Sequence, residues 1–170
     1  MATSTETDEV WATMRKTHQG REGFQIARFN GVKKLPHNRW EEDISQPVGA
    51  YYYMAMDGEG QPAFIGYSQP RSIYHKRHGK WHEIRGCSND LTFAPDGTLY
   101  RIGCDWHIYR YEDEHWIKFS KMKARRIAAG LDGLWIIDNN WKPFKYNVET
   151  NEFESRGTIK ANFVVVGLEG

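Results

Sequence analysis

Residues 73–84 read IYHKRHGKWHEI, and residues 108–119 read IYRYEDEHWIKF. The two segments align without a gap, so that each opens on an Ile-Tyr pair and carries a tryptophan at the same distance from it. A third copy begins at Pro143-Phe144-Lys145-Tyr146 and reaches Phe153 after a turn that is two residues longer. Internal repetition on this scale indicates a repeat architecture.

An acidic residue followed by glycine recurs in phase with these segments, at spacings of 39, 36 and 37 residues. A short apolar run precedes each pair, and another apolar run follows the first three. Such a pair between two apolar runs predicts a tight hairpin, because the turn needs a positive φ that glycine adopts at little cost. The pairs are Asp57-Gly58, Asp96-Gly97, Asp132-Gly133 and Glu169-Gly170.

Each repeat therefore predicts four short strands in about 36–40 residues, which is the size of a propeller blade. We predict an all-β fold, a small β-propeller of about four blades. Because Glu169-Gly170 precedes a strand that is still due, Phe163–Gly170 and roughly residues 21–45 would build one composite blade. Strands from both termini would then close the ring and remove its exposed edges. The alternatives are an open arc completed by another chain, and a chain cut at a blade boundary.

The predicted propeller domain spans residues 21–170, and residues 1–20 lie outside the repeat. Thr7 is a candidate cap for a short helix, with Asp8 and Glu9 in its first turn and Trp11 on its apolar face. A helix this short is marginal unless it packs on a surface. A disordered tail is the alternative interpretation.

The stretch Phe93-Ala94-Pro95-Asp96-Gly97-Thr98-Leu99-Tyr100-Arg101-Ile102, with the Ile-Tyr and Trp positions after it, resembles the repeat of tectonin and tachylectin-type propellers. Residues 129–135, which read AGLDGLW, match the tectonin form more closely. The resemblance is clear over residues 81–154. Family propellers of this type usually have five or six blades, more than the chain predicts, and hemopexin-like propellers are the nearest four-bladed rival. The resemblance implies binding of sugars or proteins and no enzyme activity.

The loop between the second and third strands carries a tryptophan in two repeats, 35 residues apart. An aromatic ring can pack on the apolar face of a sugar while neighbouring polar groups hold its hydroxyls. The candidate sugar-binding residues are Trp106, Trp141, Asp105, Asn139 and Asn140. The alternative is that both rings pack between blades as core residues.

A basic run at residues 121–126 follows an acidic turn at residues 112–114. The formal net charge of the chain is only +1, and opposite patches on a nearly neutral protein suit docking to a charged partner surface. A solvated face is the alternative, and no further motif predicts nucleic-acid binding. The candidate partner-binding residues are Lys121, Lys123, Arg125, Arg126 and Trp11.

His75, His78 and His82 fall on one predicted hairpin, where three imidazoles could hold zinc. No cysteine or carboxylate lies between them, so a solvated basic hairpin is the preferred interpretation, and no metal or cofactor is predicted. The sequence also has no glycine-rich phosphate loop, no zinc-protease motif and no nucleophile elbow. We therefore predict a non-enzymatic binding module, either a protein-interaction scaffold or a structural subunit of a larger assembly. The alternative is a lectin.

Cys87 and Cys104 are too few for a disulfide framework, and we predict two reduced thiols. No stretch is apolar for long enough to span a bilayer, so no membrane insertion is expected. The acidic start of the chain does not suit a secretory signal. We expect a cytoplasmic protein with protein or glycan partners.

Overall fold

The computed structural model describes residues 2–3, 10–29 and 40–167, and their regular structure is β-strand apart from one short 3-10 turn. This confirms the predicted all-β class. The chain divides into two compact units, Met1–Cys87 and Ser88–Gly170. Each unit contains one antiparallel sheet.

The first unit contains strands β1 to β8, and its sheet runs in the order β1-β2-β3-β5-β6-β7-β8, with β4 paired to β3. The strands β5 to β8 form the four-stranded meander that the first repeat predicts. The strands are β1 (Ala2–Thr3), β2 (Val10–Thr17), β3 (Phe24–Phe29), β4 (Trp40–Glu42), β5 (Ala50–Met56), β6 (Pro62–Gly66), β7 (Ile73–Arg77) and β8 (Lys80–Ile84), and the 3-10 turn is His18–Gly20.

The predicted N-terminal helix is wrong within the described residues, because Val10–Thr17 is strand β2. The strand pairs with β3 from Val10–Phe29 to Thr17–Phe24, so its backbone hydrogen bonds are made in the sheet. A neighbouring strand supplies the partner that an isolated short helix would lack. Thr7, Asp8 and Glu9 lie outside the described residues.

Within the described residues, the predicted composite blade is also not formed. Strand β3 has β2 on one side and both β4 and β5 on the other, so no edge of β3 is left for the C-terminal segment. Residues 163–167 carry no strand assignment, and the carbonyl of Gly167 accepts a hydrogen bond from the Leu131 amide at 3.2 Å. Residues 168–170 lie outside the described part of the chain. A ring of four blades therefore remains a prediction, and the proposed closure by strands from both termini is not observed in the described residues.

The second unit holds two four-stranded meanders that share one long strand. Residues 115–123 of β12 pair with β11, and residues 124–130 pair with β13. The same strand thus ends one repeat and opens the next. The strands lie in the order β15-β14-β13-β12-β11-β10-β9, and their bounds are β9 (Ser88–Phe93), β10 (Leu99–Gly103), β11 (His107–Glu112), β12 (His115–Gly130), β13 (Gly133–Asp138), β14 (Pro143–Asn147) and β15 (Glu152–Ser155).

The acidic-Gly hairpins are confirmed for the first three repeats, where they join β5 to β6, β9 to β10 and β12 to β13. Gly97 and Gly133 adopt φ values of +83° and +99°, as the turn requires. In the first hairpin the positive φ lies at Gly60 instead. There the Asp57 carboxylate accepts hydrogen bonds from the amides of Glu59 and Gln61, which makes the turn longer.

Two apolar clusters form the cores of the units. Full burial of one aliphatic or aromatic side chain contributes about 1.5–3 kcal/mol, so each cluster is a main source of stability for its sheet. The first unit buries Trp11, Ile26, Ala50 and Phe64, with Trp81 among the residues packed against them. The second unit buries Ile102, Ile108, Ala124, Ile127, Leu134 and Ile136.

The first strands of the two repeats in the second unit are fastened by side chains. The Asp90 carboxylate accepts a hydrogen bond from the Ile127 amide, and the Thr92 hydroxyl accepts one from the Ala129 amide, both at 3.1 Å. Burial raises the pKa of Asp90 to about 7, although the amides of Ile127 and Leu91 and the charge of Arg126 oppose that rise.

Candidate functional site

The two tryptophan loops of the second unit have the same backbone geometry. In each loop the tryptophan amide donates to the carbonyl three residues earlier, Trp106 to Gly103 at 2.9 Å and Trp141 to Asp138 at 3.1 Å. Each tryptophan carbonyl then accepts an amide from the start of the next repeat segment, at Ala124 and Ala161. The sequence equivalence of the two loops is thus a structural equivalence.

Both tryptophans occupy a backbone conformation that usually belongs to glycine. Trp106 has φ of +68° and Trp141 has φ of +66°. A bulky residue in this region is an outlier, and such outliers collect at functional sites at a cost of about 1–3 kcal/mol each. The rings are also not core residues, because Trp106 is 38% exposed and Trp141 is half-buried. Neither ring therefore fits the alternative of a packed core position.

Arg125 lies between the two rings. Its guanidinium carbon is 4.7 Å from the centre of the Trp141 ring and 5.8 Å from that of Trp106, both within cation–π range. The β12–β13 register shifts between Ala124 and Arg126, so Arg125 is the extra residue of a β-bulge. Bulges re-aim side chains, and this one lies where a side chain contacts both loops. We call Trp106, Arg125 and Trp141 the Trp–Arg–Trp cluster.

No acidic side chain of the described residues pairs with Arg125. Its Nε atom is buried without a hydrogen-bond partner, whereas the cations of several other residues reach carboxylates. Arg110 provides the nearest contrast, because it lies 6.0 Å from the Phe119 ring and bonds Glu112 at 2.5 Å. The cluster is thus an aromatic-bound cation that lacks a counter-charge.

The predicted polar sugar-binding residues are turned toward their own loops. Asp105 is exposed, but its carboxylate accepts hydrogen bonds from the Tyr109 hydroxyl, the His107 ring and the His107 amide. Burial alone would raise the pKa of Asp105, but these donors outweigh it and lower the pKa to about 2. The oxygens of Asp105 that a sugar would need are therefore already engaged.

The second loop is arranged around Asp138, which is 9% exposed. Its carboxylate accepts the amides of Asn140 and Lys142 at 2.8 Å each. The Asn140 side chain lies 3.4 Å from the same carboxylate, and Asn139 is exposed. Of the predicted polar set, Asn139 is the side chain that no such bond within its loop holds.

The structure divides the predicted partner-binding residues. Lys121 and Lys123 are exposed on β12, and Arg126 is half-buried with its guanidinium 4.9 Å from the Phe163 ring. Trp11 does not belong with them, because it is 5% exposed in the core of the first unit. The apolar face expected for a helix is there the inner face of strand β2, so the interpretation of Trp11 as a surface residue is corrected.

The corresponding loop of the first repeat has no tryptophan. It is a turn from Ser68 to Arg71, whose amide donates to the Ser68 carbonyl at 2.8 Å. Arg71 takes the positive-φ position with φ of +56°, and its guanidinium carbon lies 5.8 Å from the Tyr51 ring. The Trp–Arg–Trp arrangement is therefore particular to the second unit among the described residues.

Arg101 is a buried cation that the sequence analysis missed. It is 7% exposed, and its guanidinium carbon lies 4.1 Å from the Trp116 ring and 5.1 Å from the Tyr109 ring. Burial lowers its pKa to about 10. The corresponding position of the next repeat is Ile136, a fully buried core residue. The sequence could have revealed Arg101, because a charged residue there replaces the isoleucine of the next repeat.

Among the described residues, which include the histidine hairpin, no group of three or more potential metal ligands comes together. His75 is 2% exposed rather than solvated, and it bonds Asp57 at 2.7 Å and the Arg77 Nε at 2.9 Å. Burial lowers the pKa of His75, and the hydrogen bond to Asp57 opposes that shift. His78 and His82 are exposed.

Both cysteines are disulfide-bonded, so the prediction of two reduced thiols is wrong. Cys87 and Cys104 are the two cysteines of the sequence. In the part of the chain that the structure describes, no helix has the length and apolar character needed to cross a membrane.

The chain resembles solved β-propeller structures. It matches "YCF48 bound to D1 peptide" with a TM-score of 0.54 and 16% identity, over 91% of this chain and 51% of that one. It matches a structural genomics protein of unknown function from Bacteroides thetaiotaomicron VPI-5482 with a TM-score of 0.62 and 10% identity, over 94% of this chain and 48% of that one. It matches a protein proposed to be a gluconolactonase with a TM-score of 0.53 and 16% identity, over 82% of this chain and 56% of that one.

These likenesses support a propeller fold and do not support the tectonin and tachylectin type in particular. At such identities they carry the fold alone. The chain spans about half the length of the solved structures it matches. No protein-family model matches the sequence, and the search of curated proteins gives no match.

Proposed function

We propose that this protein is a non-enzymatic protein-interaction module, and that its partner binds at the Trp–Arg–Trp cluster. The module would serve as a scaffold or as a structural subunit of a larger assembly. One observation carries the proposal: Arg125 lies between two tryptophan rings, and no acidic residue of the described chain neutralises it. Tryptophan and arginine are the residue types most enriched at the energetic centres of protein interfaces.

Three further features support a protein partner. A structural neighbour, YCF48, is described as bound to a D1 peptide, so a propeller can present a peptide-binding surface. Lys121 and Lys123 are exposed on the same strand as Arg125 and would attract an acidic partner over a longer range. The absence of a recognisable catalytic motif from the sequence is in keeping with binding rather than catalysis.

A lectin remains the second candidate, because the Trp106 ring is 38% exposed and could stack on a sugar. The polar groups weigh against it. The Asp105 carboxylate is engaged by Tyr109 and His107, and Arg125 already covers part of the aromatic surface. The tectonin-type assignment belongs with this candidate.

The sequence predicts a cytoplasmic location because it shows neither a secretory signal nor a membrane-spanning stretch, and the prediction of two reduced thiols agreed with that location. Because both cysteines are disulfide-bonded, we propose an oxidising compartment instead, since disulfides persist there and are rare in the cytosol. Thiol titration of the unreduced, denatured protein tests this, and two reactive thiols per chain in protein taken from its native source would contradict it.

The test of the interaction proposal is partner capture with immobilised protein. We expect Arg125→Gln and Trp141→Ala to reduce capture by about 10-fold or more, as loss of an interface anchor does. Arg110→Gln is the matched control, because Arg110 also lies over a ring but has Glu112 as its own partner. A glycan array run on the same proteins tests the lectin.

Circular dichroism must show that each variant keeps its strand content. If the folded Arg125 and Trp141 variants capture the same proteins as the parent, the proposed site is wrong. If they lose glycan binding instead, the lectin replaces the protein-interaction module.

A further inference from the structure

The guanidinium of Arg125 has donors that its own chain leaves unused. The Nε atom is removed from water and meets no acceptor. A buried donor without a partner costs free energy, about 1–3 kcal/mol, and the remaining guanidinium donors of Arg125 have no carboxylate partner among the described residues. Some cations at the described surface have carboxylate partners, as Lys145 has Asp132 at 2.6 Å and Arg156 has Glu154 at 3.0 Å. Among the described residues, three other arginine Nε atoms are buried and, like that of Arg125, make no hydrogen bond, namely those of Arg71, Arg101 and Arg126. Arg125 is therefore a guanidinium that lacks a carboxylate acceptor among the described residues.

The geometry also holds the guanidinium in place before any ligand arrives. The Trp106 and Trp141 rings lie within 6 Å of it, and the bulge fixes the point at which Arg125 leaves strand β12. A planar fork that is already oriented loses less entropy when it forms two parallel hydrogen bonds. The ligand that matches such a fork is a carboxylate or a phosphate oxyanion, which accepts two bonds side by side.

The surroundings favour a carboxylate on a peptide over a nucleic-acid phosphate. Binding of a nucleic-acid backbone needs a broad basic footprint, whereas this chain has a formal net charge of +1 and an acidic turn at residues 112–114 close in sequence to the basic run. The half-exposed tryptophan rings offer apolar contact to the residues that flank an acidic one. Lys123 adds a second positive charge two residues from Arg125.

We propose that the Trp–Arg–Trp cluster binds a peptide carboxylate, with Arg125 as the bidentate donor and with the parts of the Trp106 and Trp141 rings that Arg125 leaves exposed as contacts for the flanking apolar side chains. This inference rests on the proposed function and specifies the chemistry of its partner. The carboxylate belongs to an acidic side chain or to a peptide C-terminus, and the experiment separates these two sources.

The test is a titration of the full ¹⁵N-labelled chain, followed through the Nε–H signal of Arg125 and the indole signals of Trp106 and Trp141. The probes are three peptides with the same apolar flanks: acetyl-Leu-Phe-Glu-Leu-amide, acetyl-Leu-Phe-Gln-Leu-amide, and acetyl-Leu-Phe-Gln-Leu with a free carboxylate. We expect at least one carboxylate peptide to shift all three signals and to bind about 10-fold or more tightly than the neutral amide, as a charge-assisted bidentate pair requires. Which acidic peptide binds more tightly identifies the source.

Two variants and one further probe give the controls. Arg125→Lys keeps the charge but loses the planar fork, so we expect weaker carboxylate binding, whereas Arg110→Gln should bind as the parent does. Equal binding of the acidic and neutral peptides, unchanged binding by Arg125→Lys, or a response to a deca-thymidylate in place of the peptides would overturn the inference.

The outcome is separable from that of the proposed function. If partner capture depends on the cluster while the acidic and neutral peptides behave alike, the carboxylate inference fails and the interaction site stands. If capture ignores the cluster variants, the interaction site itself fails, whatever the peptides do.

Discussion

Each unit of the molecule holds a cation between two tryptophans, and the two arrangements differ in what neutralises the cation. In the first unit the Lys76 ammonium lies 5.6 Å from the Trp11 ring and 5.5 Å from the Trp81 ring, and it bonds the Asp43 carboxylate at 2.5 Å. In the second unit Arg125 contacts the two rings, and none of the described residues gives it an acidic partner. We call Trp11, Lys76 and Trp81 the Trp–Lys–Trp cluster.

The positive charge of the Trp–Lys–Trp cluster is neutralised by an acid of the same chain, because Lys76 pairs with Asp43. The Asp43 side chain is 8% exposed and that of Lys76 is 17% exposed. Burial raises the pKa of Asp43, but the hydrogen bonds from Lys76 and Ser45 outweigh it and lower the pKa below its ordinary value. Trp11 is a core residue. The comparison shows that a cation held by two aromatic rings is an internal structural feature where an acid of the same chain neutralises it, as Asp43 does for Lys76.

The largest expected effect follows from removing that counter-charge. Asp43→Asn should destabilise the protein by about 2–4 kcal/mol, because it leaves Lys76 poorly solvated and unpaired. Arg125→Gln should change stability by less than about 1 kcal/mol, because no partner charge is left behind. Urea unfolding of both variants measures the difference.

A double variant sharpens this comparison. Lys76→Met in the Asp43→Asn background should recover much of the lost stability, since the unpaired charge is then gone. Equal losses for Asp43→Asn and Arg125→Gln would show that the two clusters are equivalent structural devices, and the argument for a binding surface at Arg125 would fail.

A smaller effect concerns the backbone under the tryptophans. Because Trp106 has φ of +68°, Trp106→Gly should be more stable than Trp106→Ala, by about 1 kcal/mol. Trp81 lies in strand β8 without a positive φ, so Trp81→Gly should be less stable than Trp81→Ala. Thermal melts of the four variants give both orders, and a Trp106→Ala protein that melts above Trp106→Gly would remove the strain argument.

The repeat made much of the strand pattern predictable. The acidic-Gly hairpins, the Ile-Tyr strands and the Trp strands depend on local turn chemistry and on period-two burial, which a sequence displays directly. Strand β2 was not predictable in this way. It lies outside the repeat, and the pairing with β3 that makes Val10–Thr17 a strand is a tertiary contact.

The candidate site was predictable in its parts and not in its assembly. Trp106 and Trp141 were identified from their 35-residue spacing, and Arg125 from the basic run. The contact of Arg125 with both rings depends on a one-residue bulge in β12, and no residue pattern predicts that bulge. The use of Asp105 within its own loop also depends on Tyr109 across the turn. Arg101 was not identified because the alternation of its strand was used to predict the fold and not to identify a charged residue at a core position.

The smallest expected effect is a pH dependence of the folding stability. It compares one titratable group in each unit, His75 in the first and Asp90 in the second. In the first unit the Asp57 carboxylate bonds the His75 ring in addition to the amides of Glu59 and Gln61, whereas in the second unit the Asp90 carboxylate accepts hydrogen bonds from the backbone amides of Leu91 and Ile127. The folded-state pKa of Asp90 is raised to about 7, so the native state retains a proton that the unfolded chain has lost. Lowering the pH from 8 to 6 should therefore stabilise the fold through Asp90, by about 1 kcal/mol. The folded-state pKa of His75 is lowered, so the unfolded chain gains a proton first, and the same change should destabilise the fold through His75. The two contributions oppose each other in the parent protein. In urea unfolding at the two pH values, Asp90→Asn should lose stability on acidification and His75→Gln should gain it. Parallel slopes in the two variants would contradict the assignment of opposite behaviour to the two buried groups.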